Sequence, residues 1–474
     1  MTTIAIIGGG FCGTMTAVNL ARLSNQPLKI KLVNSKRPLG RGTAYGTKRG
    51  EHLLNVAARN MSALPDKPSH FVDWLRSRFE YAETPVDQLR EMFAPRRVYG
   101  DYLRGLLSAS MNPIDARSSV RIEAIEDEAV DVALDDSGSA TVQLKDGDSF
   151  QADRIVLATG NQPPAPFPSP SPLRFDPRYR SDPWDEWISR LPPAGGTVVL
   201  LGSGLTMVDI LLTLGDIGWE GNIVAISRSG RLPKSHFRGI AYDDYVPEDV
   251  ESLGLHGLRK LIQFHCEKLK QMSQNSAIAL DKLRPHTQKI WQSLTVEDRE
   301  QFLRKDAAEW NVTRHRIAAS IHNRVTDALD AGRLRVISGT IQELVAGEQQ
   351  IEVILSDQEG MEFRQAGDLV INCTGPQLRF SKTASPLFRN LLERQLVQAD
   401  EMDMGVRVDE NFAALAPNSQ TSGTLYAIGP LLRGSLWETT AVPELRVQAM
   451  RVTEKLLQRE PTTMQETDVL EYYI

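Results

Sequence analysis

The sequence predicts an α/β protein with two separate parallel sheets, the second interrupting the first, and a block of helices between later strands. Three observations lead there. A buried strand runs into a glycine turn and a helix at "IAIIGGGFCGTMTAV" (4–18), and the same arrangement returns at "VVLLGSGLTMVDI" (198–210). Two later strands end alike, "VLATG" (156–160) and "INCTG" (371–375). From about 247 to 332 the apolar residues recur at helical spacing and no good strand interrupts them.

Taken in order, Ile4 to Ile7 are continuously apolar, as a parallel strand covered on both faces should be, and "TAVNLARL" follows at helical spacing. "LKIKLVN" (28–34) is the next strand, and the glycine-rich loop "LGRGTAYG" comes after it. Helical patterns appear at 69–80, with Ser69 as N-cap, and at 99–111. The alternating runs between 119 and 159 predict a small β meander returning to a buried strand. Residues 161–196 are dense in proline and read as an irregular linker. After the second turn come the strand "NIVAISR" (222–228), the helical block, and short strands at "LRVISGTI" and "QIEVILSD". "DLVINCTGP" (368–376), "GTLYAIGP" and the helix "PELRVQAMRVTEKLLQ" complete the chain.

Length and composition limit what such a chain does. Its 474 residues are enough for two or three domains. A net charge of -6 with both signs spread along the chain leaves no basic footprint, so nucleic acid is not an expected partner. Three widely spaced cysteines, Cys12, Cys266 and Cys373, exclude a disulfide framework and a CxxC metal or redox motif, and no metal is expected. The N-terminus has neither signal-peptide features nor a span-length apolar run, so a soluble, cytoplasmic protein without membrane contact is expected and the sequon at Asn311 is read as chance.

The glycine turns carry the chemistry. Gly8, Gly10 and Gly13 form a complete GxGxxG between strand and helix, which permits a tight turn, close approach of the backbone to a pyrophosphate, and close packing of helix on strand. Where an acidic residue would grip the ribose about 20 residues on, Asn34 stands, followed by Ser35, Lys36 and Arg37. The amide can accept one hydroxyl hydrogen; the basic pair fits either a 2′-phosphate or a solvated turn. In the second turn Gly202 and Gly204 remain, while Met207 replaces the third glycine, whose role is packing. Arg228 and Arg231 follow the next strand where an acid would select an unphosphorylated ribose, and a guanidinium pairs well with phosphate. NADPH is therefore favoured there, with NADH the alternative. Thr374 and Gly375, counterparts of Thr159 and Gly160 at the other matched strand end, are further candidate cofactor contacts. Cys12 reads as a packing residue, and His236, His286, His315 and His322 as surface or core imidazoles. Arg314, His315 and Arg316 suit either an anionic ligand or an exposed helix face. Nothing singles out a catalytic dyad.

Several long blocks, in order, also carry a resemblance: "GGGFCG", "GRGTAYGTKRGEHLLNVAARNMSALPDKPSHFVDWL", "RRVYGDYL", "VLATGNQPP", "GSGLTMVD", "SRSGRLPKSH", "RHR", "INCTGP" and "YAIGPLLRGSLWETTAVPELRVQA". Over nearly its whole length the chain resembles the bacterial FAD/NAD(P)-binding oxidoreductase family, a largely uncharacterised group distantly similar to flavin-containing and N-hydroxylating monooxygenases. The resemblance implies two Rossmann-like three-layer dinucleotide-binding domains, the NAD(P) domain inserted in the FAD domain, with a helical insertion. The boundaries expected are 1–165 and 366–474 for the FAD domain, 195–246 and 333–365 for the NAD(P) domain, and 247–332 for the helical insertion or lid. It implies FAD on the first turn, with Gly40, Arg41 and Tyr45 beside the ADP half, and Asn55 and Met61 lining the flavin ring. It implies Thr159 and Gly160 near the cofactor, and Trp437, Glu438 and Thr439 closing the flavin site. Two departures are Asn34, already noted, and Gly429-Pro430, where many flavoproteins have Gly-Asp touching the ribityl chain. The FxGxxxH fingerprint of the monooxygenases is also absent, its stretch being "YRSDPWDEW". The expected function is an NADPH-using flavoprotein oxidoreductase, in its sharper form a monooxygenase that oxygenates a small amine or sulfide. The alternatives are a reductase or dehydrogenase without oxygenation, and a redox sensor or subunit that binds FAD without turnover.

Overall fold

The computed structural model describes residues 1–113, 119–135, 138–171, 173–237 and 242–462; Pro172 of the proline-dense stretch lies outside them. Ile4, Ala5, Ile6 and Ile7 are all buried, as a strand needs when helices or loops cover both of its faces. This strand, Thr2–Ile7, lies inside a six-stranded sheet. The sheet order is Ala413–Leu415, Thr421–Ala427, Arg154–Leu157, Thr2–Ile7, Leu28–Val33 and Val120–Ile125. Every pair is parallel except the outermost one, Ala413–Leu415 with Thr421–Ala427.

A five-stranded parallel sheet has the order Leu334–Ser338, Asn222–Ser227, Thr197–Leu201, Leu369–Asn372 and Tyr179–Arg180. All of its strands fall between Arg154–Leu157 and Ala413–Leu415 of the first sheet. Each sheet is joined by a three-stranded antiparallel meander, residues 129–152 beside the first and 340–367 beside the second. The architecture is thus a mixed α/β fold with parallel-strand sheets.

The proline-dense stretch is more ordered than an irregular linker. Proline has no N–H to give a ladder, so pairing is confined to its proline-free step: Val370 N–H donates to the Arg178 carbonyl at 2.8 Å, and Tyr179–Arg180 forms the sheet edge. Further on, Trp187 is buried in the core of the second sheet, and its indole donates to the Pro183 carbonyl. Ser69 precedes the helix His70–Arg76 without a side-chain cap bond, and the predicted 69–80 helix breaks there into a 3-10 turn at Phe79–Tyr81. The second predicted helix starts earlier than its pattern, at Arg96, because Pro95 fixes the backbone before it.

Helices Gly254–Gln271, Ala277–Lys282, Thr287–Ser293, Val296–Lys305 and Ala307–Arg314 make up the central block. The next helix, Ala319–Asp330, buries Ile321 and Val325 against the second sheet and feeds its strand Leu334–Ser338. No helix among the described residues is long and apolar enough to cross a membrane, and no group of three or more His, Cys, Asp or Glu among them is placed to hold a metal ion.

Candidate active site

The two glycine turns are near copies. Gly8 has φ +116 and Gly202 φ +113, a region closed to most side chains. A Cβ on Gly8 would stand 2.3 Å from the Ala158 carbonyl oxygen, and one on Gly202 2.5 Å from that of Cys373. The strands ending in Thr-Gly therefore press on the turns, and only glycine admits the approach. Gly10 and Gly204 then open helices Phe11–Leu23 and Leu205–Asp216 with matching backbone angles, φ -79 and ψ -161 against φ -86 and ψ -161. Neither helix has a side-chain cap bond or an acid in its first turn. Both leave free N–H groups and a positive dipole end suited to an anion.

The third position differs. A Cβ on Gly13 would lie 1.8 Å from the Gly8 carbonyl oxygen, whereas Met207, five residues after Gly202 as Gly13 is after Gly8, is fully buried in the core of the second sheet. The helix after Gly202 has room for the longer side chain.

The glycine loop lies over the first turn: Gly40 N–H donates to the Gly9 carbonyl at 2.9 Å, and Gly42 Cα packs on Gly10. Asn34 sits against Gly9, where a Cβ would meet its Oδ1 at 2.6 Å, and its amide donates to the Arg37 carbonyl. Of the basic pair behind it, Arg37 is engaged by Asp182 at 2.5 Å and Asp185 at 3.4 Å. Arg41 is paired with Asp101. Thr159 Oγ1 is buried with no hydrogen-bond partner among the described residues, and Gly160 and Gly375 both take left-handed φ with open space around the missing Cβ. Thr374 instead donates its hydroxyl to Asn372 Oδ1 at 2.6 Å.

A cavity of about 600 Å³ opens between these parts. Tyr45, Asn55 and Met61 line it from the side of the first turn, Leu205 and Val208 from the helix of the second, and Arg314, His315, Arg316 and Glu438 from the helical block and the segment after Gly429. Glu438 accepts from the Trp310 indole at 2.9 Å and faces Arg314 at 3.5 Å. Burial pushes its carboxyl up, but Arg314, His315 and Arg284 with the Trp310 bond outweigh it and hold the group down at about 2. Arg316 is buried with both carboxylate oxygens of Asp281 in reach, at 2.7 and 2.9 Å. The Arg-His-Arg run is therefore part of a paired charge cluster at the cavity and not an exposed face.

Other candidate residues lie apart from the cavity. Trp437 faces into the helical block and stacks on Trp291 with ring centroids 5.0 Å apart. Thr439 is fully buried and donates to the Gly429 carbonyl, while Gly429 N–H donates to Gln448 Oε1 at 2.8 Å. Arg228 is exposed just past the strand Asn222–Ser227. Arg231 pairs with Glu309 at 2.5 Å, and Lys234 reaches the same carboxylate at 3.1 Å.

Several cavity residues carry no motif. Arg96 and Asp209 form an ion pair at 2.6 Å that ties the helix Arg96–Met111 to the helix of the second turn. His236 Nε2 lies 2.9 Å from the Asn55 carbonyl oxygen; beside the cavity, His52 Nε2 lies 3.0 Å from Thr213 Oγ1. An aspartate amid "GLTMVDILLTL" is the one local sign, since a carboxylate in an apolar helix needs a partner.

Residues 5–162 match the model of a family described as FAD-NAD(P)-binding. Among curated proteins, none matches. Solved structures with the same fold span the chain. The ornithine hydroxylase PvdA of Pseudomonas aeruginosa aligns over 96% of this chain and 98% of its own with 16% identity and TM-score 0.63. The cadaverine monooxygenase DfoA of Erwinia amylovora, solved with FAD, covers 98% and 96% with 16% identity and TM-score 0.63. The ornithine N-hydroxylase KtzI of Kutzneria sp. 744, solved with reduced FAD, NADP+ and L-ornithine, covers 96% and 98% with 14% identity and TM-score 0.61. At such identity the likeness is one of fold. The FAD-NAD(P)-binding stretch contains the first turn, the glycine loop, Asn55, Met61, Thr159 and Gly160.

Proposed function

We propose that the chain is an FAD-dependent, NADPH-using oxidoreductase that oxygenates a small nucleophilic substrate, an amine above all, with FAD on the first turn and NADPH on the second. One observation carries this reading: a single cavity is lined at once by Tyr45, Asn55 and Met61 and by Leu205 and Val208 of the second turn's helix. Two cofactors that must exchange a hydride need such a shared space.

The residues fit the two groups. Gly8, Gly10 and Gly13 leave a cradle that a Cβ would fill, the helix start is uncapped and acid-free, and Thr159 Oγ1 is a buried polar atom without a partner. Gly202, Gly204 and the exposed Arg228 suit a phosphorylated dinucleotide. On this reading the first sheet and its meander form the FAD domain, and the second sheet forms an inserted Rossmann-like NAD(P) domain that also takes in Tyr179–Arg180 and Leu369–Asn372, outside the expected bounds of 195–246 and 333–365. The helices from Gly254–Gln271 to Ala307–Arg314 cover the substrate, while Ala319–Asp330, expected in the 247–332 insertion, packs on the second sheet. When bound, the flavin supplies the electron and oxygen chemistry. The chain's own part is to bind and orient the two rings, exclude water, and offer the substrate a paired set of charges in Asp281, Arg314, Arg316 and Glu438.

Disulfide reduction is disfavoured by the cysteines. Cys12 lies in the first turn's helix, Cys266 in the helical block and Cys373 at the second sheet, so no two form a dithiol. Burial also pushes the Cys12 thiol up to about 12 and raises Cys373, which keeps both protonated and unreactive.

The test is anaerobic addition of NADPH to the FAD-loaded protein while the oxidised flavin absorption band is followed, then readmission of oxygen with ornithine, lysine or cadaverine. Fast bleaching followed by a hydroxylated amine supports the proposal. Bleaching with dye or quinone reduction and no hydroxylated product replaces it with a reductase, and no bleaching overturns the two-cofactor reading.

A further inference from the structure

The helical block contains a second cavity, of about 300 Å³, separate from the first. Its walls are mostly apolar and include three indoles: Leu258, Ile262, Ile290, Trp291, Trp310 and Trp437. Most of the buried polar groups in those walls are already committed. Trp291 donates to the Gly434 carbonyl at 2.7 Å, Trp310 to Glu438 at 2.9 Å, and Thr287 to the Leu283 carbonyl at 3.2 Å. The charged groups are at its rim: Arg259 and Asp306 are one-third exposed and pair with each other at 2.6 Å, Glu309 is exposed and paired with Arg231 and Lys234, and Lys305 is exposed.

One partition separates the two cavities. Asp281, Arg284, Arg314 and Glu438 face the first, while their near neighbours Leu280, Leu283, Trp310 and Trp437 face the second. The indole of Trp310 crosses the partition to hold Glu438. Trp437, next to Glu438, takes φ +57 and ψ -76, an outlier for so bulky a residue, and is held there by stacking on Trp291 and edge contact with Phe302 at 5.3 Å.

We propose that this chamber is a second ligand site that takes a small uncharged aromatic molecule of about two fused rings. Three constraints select that class. A charged or multiply polar occupant would lose its hydration against walls that are mostly apolar, with the charged groups confined to the exposed rim, which is costly. Flat indole faces favour offset or edge contacts with another ring. An apolar cavity of about 150 Å³ holds benzene, and this one has twice that volume.

The test is equilibrium dialysis of the full-length, FAD-saturated protein against naphthalene, repeated with Ile262→Trp, which fills the chamber. One saturable site per chain, weakened at least tenfold in Ile262→Trp and unaffected by NADP+ or cadaverine, is the expected result. No saturable binding up to the solubility of naphthalene overturns the proposal, as does equal binding by Ile262→Trp. Displacement by NADP+ or cadaverine also overturns it, since that puts naphthalene in the first cavity. If Ile262→Trp does not fold, Leu258→Phe is read by the same criteria. Binding is measured directly, so the result does not depend on the proposed flavin chemistry.

Discussion

Gly13 and Met207 occupy the same step of two matching turns and should respond oppositely to the same residue. Gly13→Ala drives a methyl to 1.8 Å from the Gly8 carbonyl oxygen, so helix or turn must shift; the expected outcome is loss of FAD from the purified protein, read by its absorbance. Met207→Ala leaves the turn free and creates a cavity in the second core, costing about 2–5 kcal/mol in urea unfolding with FAD content unchanged. Asp400 gives a second single-residue prediction. It is buried, its Oδ1 accepts from Met402 and Met404 N–H, and burial raises its carboxyl from 3.8 to about 6. The folded state then holds the proton more tightly than the unfolded chain, so this stability is present below pH 3.8 and lost as pH rises through about 6. Asp400→Asn keeps an acceptor oxygen without the charge. It should stabilise the protein above pH 6, by up to about 3 kcal/mol, and do little at pH 4.

At the scale of elements, the helix Ala307–Arg314 reaches three places: Arg314 lines the first cavity, Trp310 lines the second and holds Glu438, and Glu309 reaches Arg231 and Lys234. If NADPH binds as proposed, a 2′-phosphate arriving at Arg231 must compete with that carboxylate. Arg228→Ala is expected to raise KM for NADPH about tenfold or more, from the loss of a charge-assisted hydrogen bond, and to leave KM for NADH unchanged. Glu309→Gln should lower KM for NADPH alone; equal changes with both cofactors would remove these residues from the phosphate site. Elements like the two turns are legible in sequence because glycine spacing, apolar run and helical period lie within fifteen residues. The ion pair of Arg231 with Glu309 is not, since the partners stand on different elements 78 positions apart and no local pattern marks them. The edge strand Tyr179–Arg180 escapes for another reason: two paired residues amid prolines carry no periodicity.

For the whole molecule, buried polar contacts help join the two sheet systems, Arg96 with Asp209, His236 with the Asn55 carbonyl, and His52 with Thr213, beside the apolar packing of Leu53 and Phe93 on the second core. Burial lowers both His52 and His236 below 6.5, so they are neutral when folded at neutral pH. The unfolded chain takes up protons first, so the stability from these groups is complete above about 6.5 and lost as pH falls below it. Urea midpoints should fall between pH 8 and pH 5, and the slope should flatten in His52→Gln combined with His236→Gln. An unchanged slope in the double variant would assign the effect elsewhere. The division into two sheets and a helical block is readable from the order of strands, whereas what joins them is not, because His52, Arg96 and His236 each meet a partner more than a hundred positions away.

The interleaving of the strands also sets an order of assembly. The second sheet has all of its strands once Asn372 is made, but the first lacks Thr421–Ala427, the neighbour of Arg154–Leu157, for roughly fifty residues more. At about 5–20 residues per second on the ribosome, the nascent chain carries a finished inner body and an open outer one for several seconds. During that interval the exposed edge of Arg154–Leu157 is the part most in need of a chaperone.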